Sequence, residues 1–344
     1  MTANVSSPDM SALLAEAAQR LMEGRLVAFP TETVYGLGAD AENPLAIARI
    51  YAAKGRPSNH PVIVHVAPEA DITYWAASIP PEARALMQAF WPGPLTLILP
   101  RAQHIPAEVS GGHGSVGLRC PSHPVAQALL RQFASLKPNG QGGVAAPSAN
   151  KFGQVSPTHA AHVRAEFPEL STAALMILEG GPSQVGIEST IVDLSRIDQG
   201  IGPVLLRPGH VTAAQIADVL GIAPARPDVG APQVSGSLKA HYAPRTPLSV
   251  LAMDDLLRAV DATADPIHRV AAVVFNVPVA AANGGNVDWL VCANKPDAYA
   301  RELYALLRRL DDQGYARILF EQPPRNAQWQ AVNDRIGRAA AAFS

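Results

Sequence analysis

A short apolar run, Leu26–Phe29, passes directly into a polar segment with two glycines, PTETVYGLG, residues 30–38. This order predicts a buried strand that ends in a loop, where glycine lets the backbone turn tightly and approach a ligand. Open α/β sheets bind their ligands at such places, outside the carboxyl ends of the strands. The same pattern also fits an ordinary strand–loop–helix connection. The segment therefore predicts an α/β fold and marks a candidate site.

Predicted strands and helices alternate along the first 221 residues. Where strands follow one another without regular intervening helices, in the second half of this region, a twisted mixed sheet is expected rather than a parallel one. Apolar runs predict strands at 26–29, 62–66, 95–99, 116–119, 144–146, 175–178, 190–194 and 204–207. Helical patterns cover 11–23, 43–53, 81–90, 123–133, 158–166 and 212–220.

The composition changes at residue 222. Residues 222–246 are rich in Pro, Gly, Ala and Ser without periodicity, which predicts a linker between a first domain, 1–221, and a second, 247–344. Predicted strands at 248–251, 270–275, 289–292 and 316–320 alternate there with helices, one of them a long amphipathic helix opened by Pro296. The second domain is therefore expected to be a small, Rossmann-like three-layer α/β domain.

Charge and cysteine content restrict the class of protein. With 27 basic and 29 acidic residues the net charge is −2, which argues against holding nucleic acid by overall charge. Cys120 and Cys292 are the only cysteines and lie far apart, so no disulfide framework is expected. No run reaches 18 apolar residues, and the first ten residues lack the pattern of a secretory signal. A cytoplasmic protein that does not enter membranes is expected.

Two further motifs carry permanent cations. KGRPSNHP, residues 54–61, places Lys54 and Arg56 around a glycine with His60 close behind, which suits either a polyphosphate clamp or the basic end of a helix. Arg119 lies in the otherwise apolar SVGLRCP, residues 115–121. Burying Arg119 requires an anion, whereas a surface-facing position does not.

Small polar residues follow another predicted strand in APSANKFGQVSPT, residues 146–158. They let backbone amides reach a ligand, and the predicted helix start at SPT would favour an anion. By contrast, GHGSVG, residues 112–117, matches G-x-G-x-x-G but lacks the strand and helix that a dinucleotide site needs. His113, Cys120 and His123 are too loosely spaced, and lack a fourth ligand, for a zinc site.

Taken together, the motifs PTETVYGLG, KGRP, PSAN, SPT, STIVDL, LRPG and HYAP stand in one characteristic order. With them, essentially all 344 residues resemble the YrdC-type family of threonylcarbamoyl-AMP synthases, in the long form with an extra C-terminal domain. The resemblance implies a YrdC-like twisted mixed sheet with a large positive cavity. It also implies synthesis of L-threonylcarbamoyladenylate from L-threonine, bicarbonate and ATP, with release of pyrophosphate.

The resemblance further implies partners and cofactors. The product would feed N6-threonylcarbamoyladenosine formation in tRNA through a separate tRNA-modifying transferase, so that tRNA is an indirect partner. Mg²⁺ would be bound through the ATP phosphates, with no side-chain ligand. Catalysis would rest on holding three reactants together, because no Ser–His or Cys–His pair suggests a covalent nucleophile.

Residue roles follow from the motif positions that match the family. The expected threonine contacts are Thr33, His65, Arg119, the backbone at Ala146 and Ser189. The expected ATP contacts are Arg56, His60, Ser115, Ser148, Asn150, Ser156, Arg207 and, from the linker, Tyr242. Lys54 and Arg56 are expected to act on the phosphates. Since Tyr242 lies 35 positions after Arg207, sharing its site would require the linker to fold back as a lid.

Some segments depart from the family, and two other functions stay open. VSGSLKA, residues 234–240, replaces a Pro-Gly-Met-Lys type run, and residues 137–143 resemble an inserted loop. KFG follows PSAN where Leu-Ser-Gly is common, which leaves the role of Lys151 open. One alternative is a protein that binds tRNA or double-stranded RNA without chemistry of its own. The other is the carbamoyl transfer of hydrogenase-maturation proteins, against which the lack of acylphosphatase-like and zinc-finger segments argues.

Overall fold

The computed structural model describes residues 7–262, 268–278 and 286–344. They form two compact units. The first contains the chain up to Phe152 together with Ser156–Gln184 and Glu188–Ser237, and the second contains Gly153–Val155, Val185–Ile187 and Leu238–Ser344. The predicted linker is thus divided, with its residues up to Ser237 in the first unit. Among the described residues, no helix is long and apolar enough to cross a membrane.

The first unit is built on one mixed sheet, as the sequence predicted, and this sheet has nine strands, one more than expected. The order is β7-β1-β2-β6-β3-β5-β4-β8-β9, in which β1/β7, β3/β5 and β4/β8 are parallel and the other pairs antiparallel. The strands are β1 Leu26–Phe29, β2 Gly36–Asp40, β3 Ile63–His65, β4 Leu95–Pro100, β5 Ser115–Arg119, β6 Val144–Ala145, β7 Leu175–Ile177, β8 Thr190–Asp193 and β9 Val204–Arg207.

Helices cover both faces of this sheet. Leu21, Leu129 and Phe133 form one core against Val27 and Phe29, and a larger core with Ile47, Ile50 and Leu86 lies on the other face. The helices are α1 Ser7–Met22, α2 Pro44–Lys54, α3 Ile72–Trp75, α4 Pro81–Phe90, α5 Pro124–Leu136, α6 Ala160–Glu166 and α7 Ala213–Leu220, with 3₁₀ turns at Ala107–Ser110 and Ile197–Gln199. The four-residue α3 was not predicted, because one turn is too short to show a helical period.

The predicted loop at residues 30–38 is in part a strand. Gly36–Asp40 pairs antiparallel with β1, so the segment after Phe29 is a hairpin connection rather than a loop between strand and helix. A Cβ on Gly38 would lie 2.8 Å from the Phe29 ring and 2.9 Å from Val144. This glycine therefore serves close packing inside the sheet, not a turn. The prediction was wrong because a strand of small residues has no apolar alternation.

The second unit has a four-stranded, all-parallel sheet in the order β10-β13-β11-β12, which agrees with the predicted Rossmann-like fold. The amphipathic helix opened by Pro296 is confirmed, with Leu303, Leu307 and Leu310 buried. The strands are β10 Leu248–Leu251, β11 Val270–Val274, β12 Val287–Val291 and β13 Arg317–Glu321. The helices are α8 Met253–Asp261, α9 Pro296–Asp312 and α10 Gln330–Ala340, the last preceded by a 3₁₀ turn at Ala327–Trp329.

Candidate active site

Three of the predicted motifs are joined by backbone hydrogen bonds. The Tyr35 amide donates to the Pro157 carbonyl, the Leu37 amide to the Pro147 carbonyl and the Ala149 amide to the Tyr35 carbonyl, each at 2.8 Å. PTETVYG, PSAN and SPT are therefore adjacent, although more than 100 residues separate the first from the others. The predicted helix at 158 begins at Ala160 and has seven residues, so SPT is an irregular segment that precedes the helix.

Lys54 ties the end of α2 to the PSAN loop. Its ammonium donates to the Ser148 carbonyl at 2.7 Å and also to the Asn150 carbonyl, and its side chain is buried. Burial, reinforced by the nearby Arg56 charge, holds the Lys54 pKa well below its usual value. The sequence predicts that this amine faces phosphates, whereas in the structure it holds a loop. The Asn150 side chain likewise donates to the Lys151 carbonyl at 2.7 Å.

Arg56 and Arg207 meet at one residue of the linker, Ser235. Arg56 Nη2 donates to the Ser235 hydroxyl at 2.9 Å, and Arg207 Nη1 donates to the Ser235 carbonyl at 2.9 Å. Both arginine residues are more than nine-tenths buried, at 7% and 4% exposure. Two ATP-contact candidates that are 151 positions apart thus converge, as the resemblance implied. The sequence assigns Ser235 no secure contact, because its segment departs from the family run.

The residue before Ser235 anchors the linker to the sheet. Val234 is buried and packs with Ile98 and Ile191. Beside it lies a small cavity of about 20 Å³, room for roughly one water, to which Ser115 contributes. The linker up to Ser235 therefore lies on the first unit next to three of the predicted ATP contacts.

Arg119 is buried and does meet an anion, but the anion belongs to the protein. Its Nη2 lies 2.7 Å from Oε1 of Glu32, whose other oxygen accepts the Ser122 amide at 3.1 Å. Glu32 was missed as a site residue, although it stands inside PTETVYG. His65 is the register partner of Arg119 on the neighbouring strand. Burial and the Arg119 charge lower the His65 pKa to about 3, so its imidazole is neutral near pH 7.

The remaining threonine-contact candidates are the hydroxyls of Thr33 and Ser189 and the backbone of Ala146. Thr33 Oγ1 lies 2.8 Å from Thr31 Oγ1, and Ser189 Oγ lies 2.7 Å from Thr96 Oγ1. Arg207 donates to both the carbonyl and the hydroxyl of Ser189, at 2.9 and 3.1 Å. The structure thus places a predicted threonine contact directly against a predicted ATP contact. The Ala146 amide is taken by the Ile63 carbonyl at 2.9 Å.

A second buried carboxylate faces a predicted ATP contact. The Ser156 hydroxyl donates to Glu188 Oε1 at 2.5 Å, and both side chains are buried. Glu188 precedes Ser189 in GIESTIVDL, which is the signal that could have identified it. Ser148 is half-buried, and its carbonyl receives Lys54. The His60 ring lies 5.3 Å from the Phe152 ring, and partial burial and Arg56 lower the His60 pKa.

Tyr242 lies in the second unit and is buried there. Its ring is 5.6 Å from the Tyr304 ring and 5.3 Å from the Arg335 guanidinium carbon. Its φ of 61° is in the left-handed region, which is uncommon for a residue other than glycine. A place for Tyr242 beside Arg207 stays a prediction.

Two lysines in segments that depart from the family, Lys151 and Lys137, have structural contacts. Lys151 donates to the Ala53 carbonyl at 2.8 Å and pairs with Glu169. Lys137, at the start of the inserted loop, pairs with Asp40 at 2.8 Å and Glu42 at 3.0 Å. Within the described residues, no three His, Cys, Asp or Glu side chains come together as metal ligands.

Two family models and several relatives of known name match most of this chain. The Sua5/YciO/YrdC family model, described as telomere recombination, matches residues 19–209, and the model of the threonylcarbamoyl-AMP synthase C-terminal domain matches residues 211–341. The threonylcarbamoyl-AMP synthase of Pyrococcus abyssi is 36% identical over 94% of this chain and 93% of its own length. That of Bacillus subtilis is 37% identical over 95% and 92%.

The fold is also that of a solved relative. A crystal structure of P. abyssi Sua5 complexed with L-threonine superposes with a TM-score of 0.82 and 33% identity, covering 96% of this chain and 94% of the relative. Both family models and both relatives thus indicate the same two-part organisation of the chain. The chain belongs to the Sua5/YciO/YrdC family, in the form that carries the C-terminal domain of threonylcarbamoyl-AMP synthases.

Proposed function

We propose that the chain is an L-threonylcarbamoyladenylate synthase, which converts L-threonine, bicarbonate and ATP into threonylcarbamoyl-AMP and pyrophosphate. The proposal rests on one observation above all, the convergence of Arg56 and Arg207 on the two oxygens of Ser235. Oxygen atoms held by two guanidinium forks mark a position that suits phosphate oxygens. Full-length relatives with this enzyme name support the same reaction.

The threonine end of the site is proposed around Ser189, Arg119 and His65. Ser189 contacts Arg207, which would bring the amino acid beside the nucleotide. Glu32 neutralises the charge of Arg119. The Arg119 guanidinium would therefore bind the threonine carboxylate through hydrogen bonds of fixed geometry, and not through an uncompensated positive charge. A neutral His65 adds no further positive charge.

In the proposed reaction the free amine of threonine attacks bicarbonate, forming the N–C bond of a carbamate and releasing water. A carbamate oxygen then attacks the α-phosphorus of ATP, and the bond to the β,γ-pyrophosphate breaks. Arg56 and Arg207 would stabilise the charge on the leaving pyrophosphate, and holding the reactants in line supplies several kcal/mol. Mg²⁺ bound by the ATP phosphates would neutralise part of the same charge.

The linker has a proposed part in this cycle. Ser235 receives hydrogen bonds from both arginines, so phosphates bound to these arginines would displace Ser235. The linker would then close over the bound reactants and exclude water. Lys54 would contribute by fixing the carbonyls of the PSAN loop. We also propose a cytoplasmic location and delivery of the product to a separate tRNA-modifying transferase.

A role limited to RNA binding has less support. Arg56, Arg119 and Arg207 are buried, so they do not offer a surface to an RNA backbone. The names of the full-length relatives likewise favour the synthase over hydrogenase-maturation carbamoyl transfer.

Mass spectrometry of the nucleotide formed from ATP, bicarbonate and threonine tests the proposal. Threonylcarbamoyl-AMP is expected only when all three are present, and Arg56→Ala is expected to abolish pyrophosphate release. The exposed Arg131→Ala is the matched control. Pyrophosphate release without threonine, or full activity of Arg56→Ala, would contradict it.

A further inference from the structure

The second unit contains a cavity of about 520 Å³ between β10 and α10, beyond the carboxyl end of β13. Val250 and Phe320 are register partners, so both face α10, while Leu251 and Leu319 face Leu256 of α8 on the other side of the sheet. After β10 the chain therefore passes to one face of the sheet, and after the adjacent strand β13 it passes to the other face. Parallel sheets bind ligands at such switch points.

A glycine inside α10 opens the wall of this cavity. Gly337 lies in the interior of the helix, where glycine is less stable than alanine. A Cβ on Gly337 would have no neighbouring atom within 4 Å, so packing does not require glycine here. By contrast, a Cβ on Gly186 in the same unit would lie 2.4 Å from the Arg301 backbone. What Gly337 provides is free space toward the cavity.

The polar side of the cavity combines a cation with a fixed layer of amides. No carboxylate among the described residues lies within ion-pair distance of Arg325, whose Nη2 donates to Gln322 Oε1 at 3.3 Å. Gln322 Nε2 donates to Asn333 Oδ1 at 2.7 Å, and Asn333 Nδ2 donates to the Pro324 carbonyl at 2.9 Å. The exposed Arg325 thus keeps donors for an anion beside these hydrogen-bonded amides, and Val250 supplies an apolar wall.

We propose that this cavity binds a nucleoside monophosphate. Arg325 holds the phosphate, the base lies against Val250, and the Gln330 amide reads the edge of the base. The residues that line this cavity all belong to the second unit, whereas Arg56 and Arg207 belong to the first. The proposal does not rest on the synthase activity, and a binding measurement tests it.

Titration calorimetry of the full chain with GMP and UMP tests the proposal, with guanosine as the probe that lacks a phosphate. One of the two nucleotides is expected to bind with a stoichiometry near one, and guanosine at least ten-fold more weakly. Arg325→Ala should weaken nucleotide binding at least ten-fold, whereas Arg309→Ala, an exposed arginine of α9 outside the cavity, should not.

Gly337→Leu provides the second variant. It should fill the cavity and abolish binding while the thermal midpoint stays equal or rises, because leucine favours the helix. The proposal is overturned if neither nucleotide binds, or if Arg325→Ala and Gly337→Leu bind like the parent. It is also overturned if Arg56→Ala, rather than Arg325→Ala, removes binding, since the nucleotide would then occupy the first unit.

Discussion

Glu32 and Arg119 form a buried ion pair, with Oε1 of the carboxylate 2.7 Å from Nη2 of the guanidinium. Their side chains are 6% and 5% exposed, so neither charge is compensated by water. The pair connects the hairpin that follows β1 with strand β5. Strands β1 and β5 lie in different parts of the sheet. The pair therefore sets the position of the arginine to which the threonine carboxylate is assigned.

Glu32→Gln is expected to destabilise the first unit, because it leaves the Arg119 charge buried and unpaired. The expected loss is about 3–5 kcal/mol of unfolding free energy. Urea unfolding measures it. Glu69→Gln breaks an exposed pair with Arg131 and is the control, with an expected unchanged midpoint. Equal midpoints for both variants would refute a stabilising role for the buried pair.

His65 should make stability depend on pH below neutrality. Its pKa falls from 6.5 to about 3 on folding, so the unfolded chain binds a proton that the folded chain does not between these values. The contribution of neutral His65 to the free energy of unfolding is fully present above pH 6.5 and is lost as the pH falls toward 3. His65→Gln should reduce the slope of unfolding free energy against pH by up to about 1.4 kcal/mol per pH unit between pH 6 and 4. A parental slope in His65→Gln would contradict this prediction.

Val234→Asp should release the linker from the sheet. Val234 is buried against Ile98 and Ile191, and keeping a charge buried there would cost several kcal/mol, so the segment is expected to detach instead. Synthesis is expected to fall at least ten-fold while urea unfolding of the first unit changes little, because the β-strands keep their own core. Val229→Asp, a fully exposed position in the same segment, is the control. Unchanged synthesis by Val234→Asp would end the lid proposal.

Arg207→Lys tests geometry at constant charge. Arg207 donates through three nitrogens to Ser189 and Ser235, which one ammonium cannot reproduce. Losing charge-assisted bonds of about 1.5–3 kcal/mol corresponds to a drop in kcat/KM for ATP of roughly 10- to 150-fold. Steady-state pyrophosphate release measures it, with the exposed Arg131→Lys as control. Parental activity of the Arg207→Lys enzyme would mean that only the charge matters.

Much of this protein is determined locally. The spans Pro81–Phe90 and Val204–Arg207 agree with the sequence-based prediction at both ends, because proline, apolar period and strand-forming residues act over a few positions. The order of the motifs was sufficient to identify the family. The mixed sheet also followed from the succession of strands without helices.

The tertiary structure decided which atoms meet. Pairing of Gly36–Asp40 with β1 overrode a segment that has no strand period. The sequence predicts a phosphate ligand at Lys54, but carbonyls of the PSAN loop, about 95 positions away, receive its ammonium. Ser235 and Glu32 acquired their roles only through partners distant in sequence. The residue type determines which groups a side chain can bind, whereas long-range packing determines which of these groups lies within its reach.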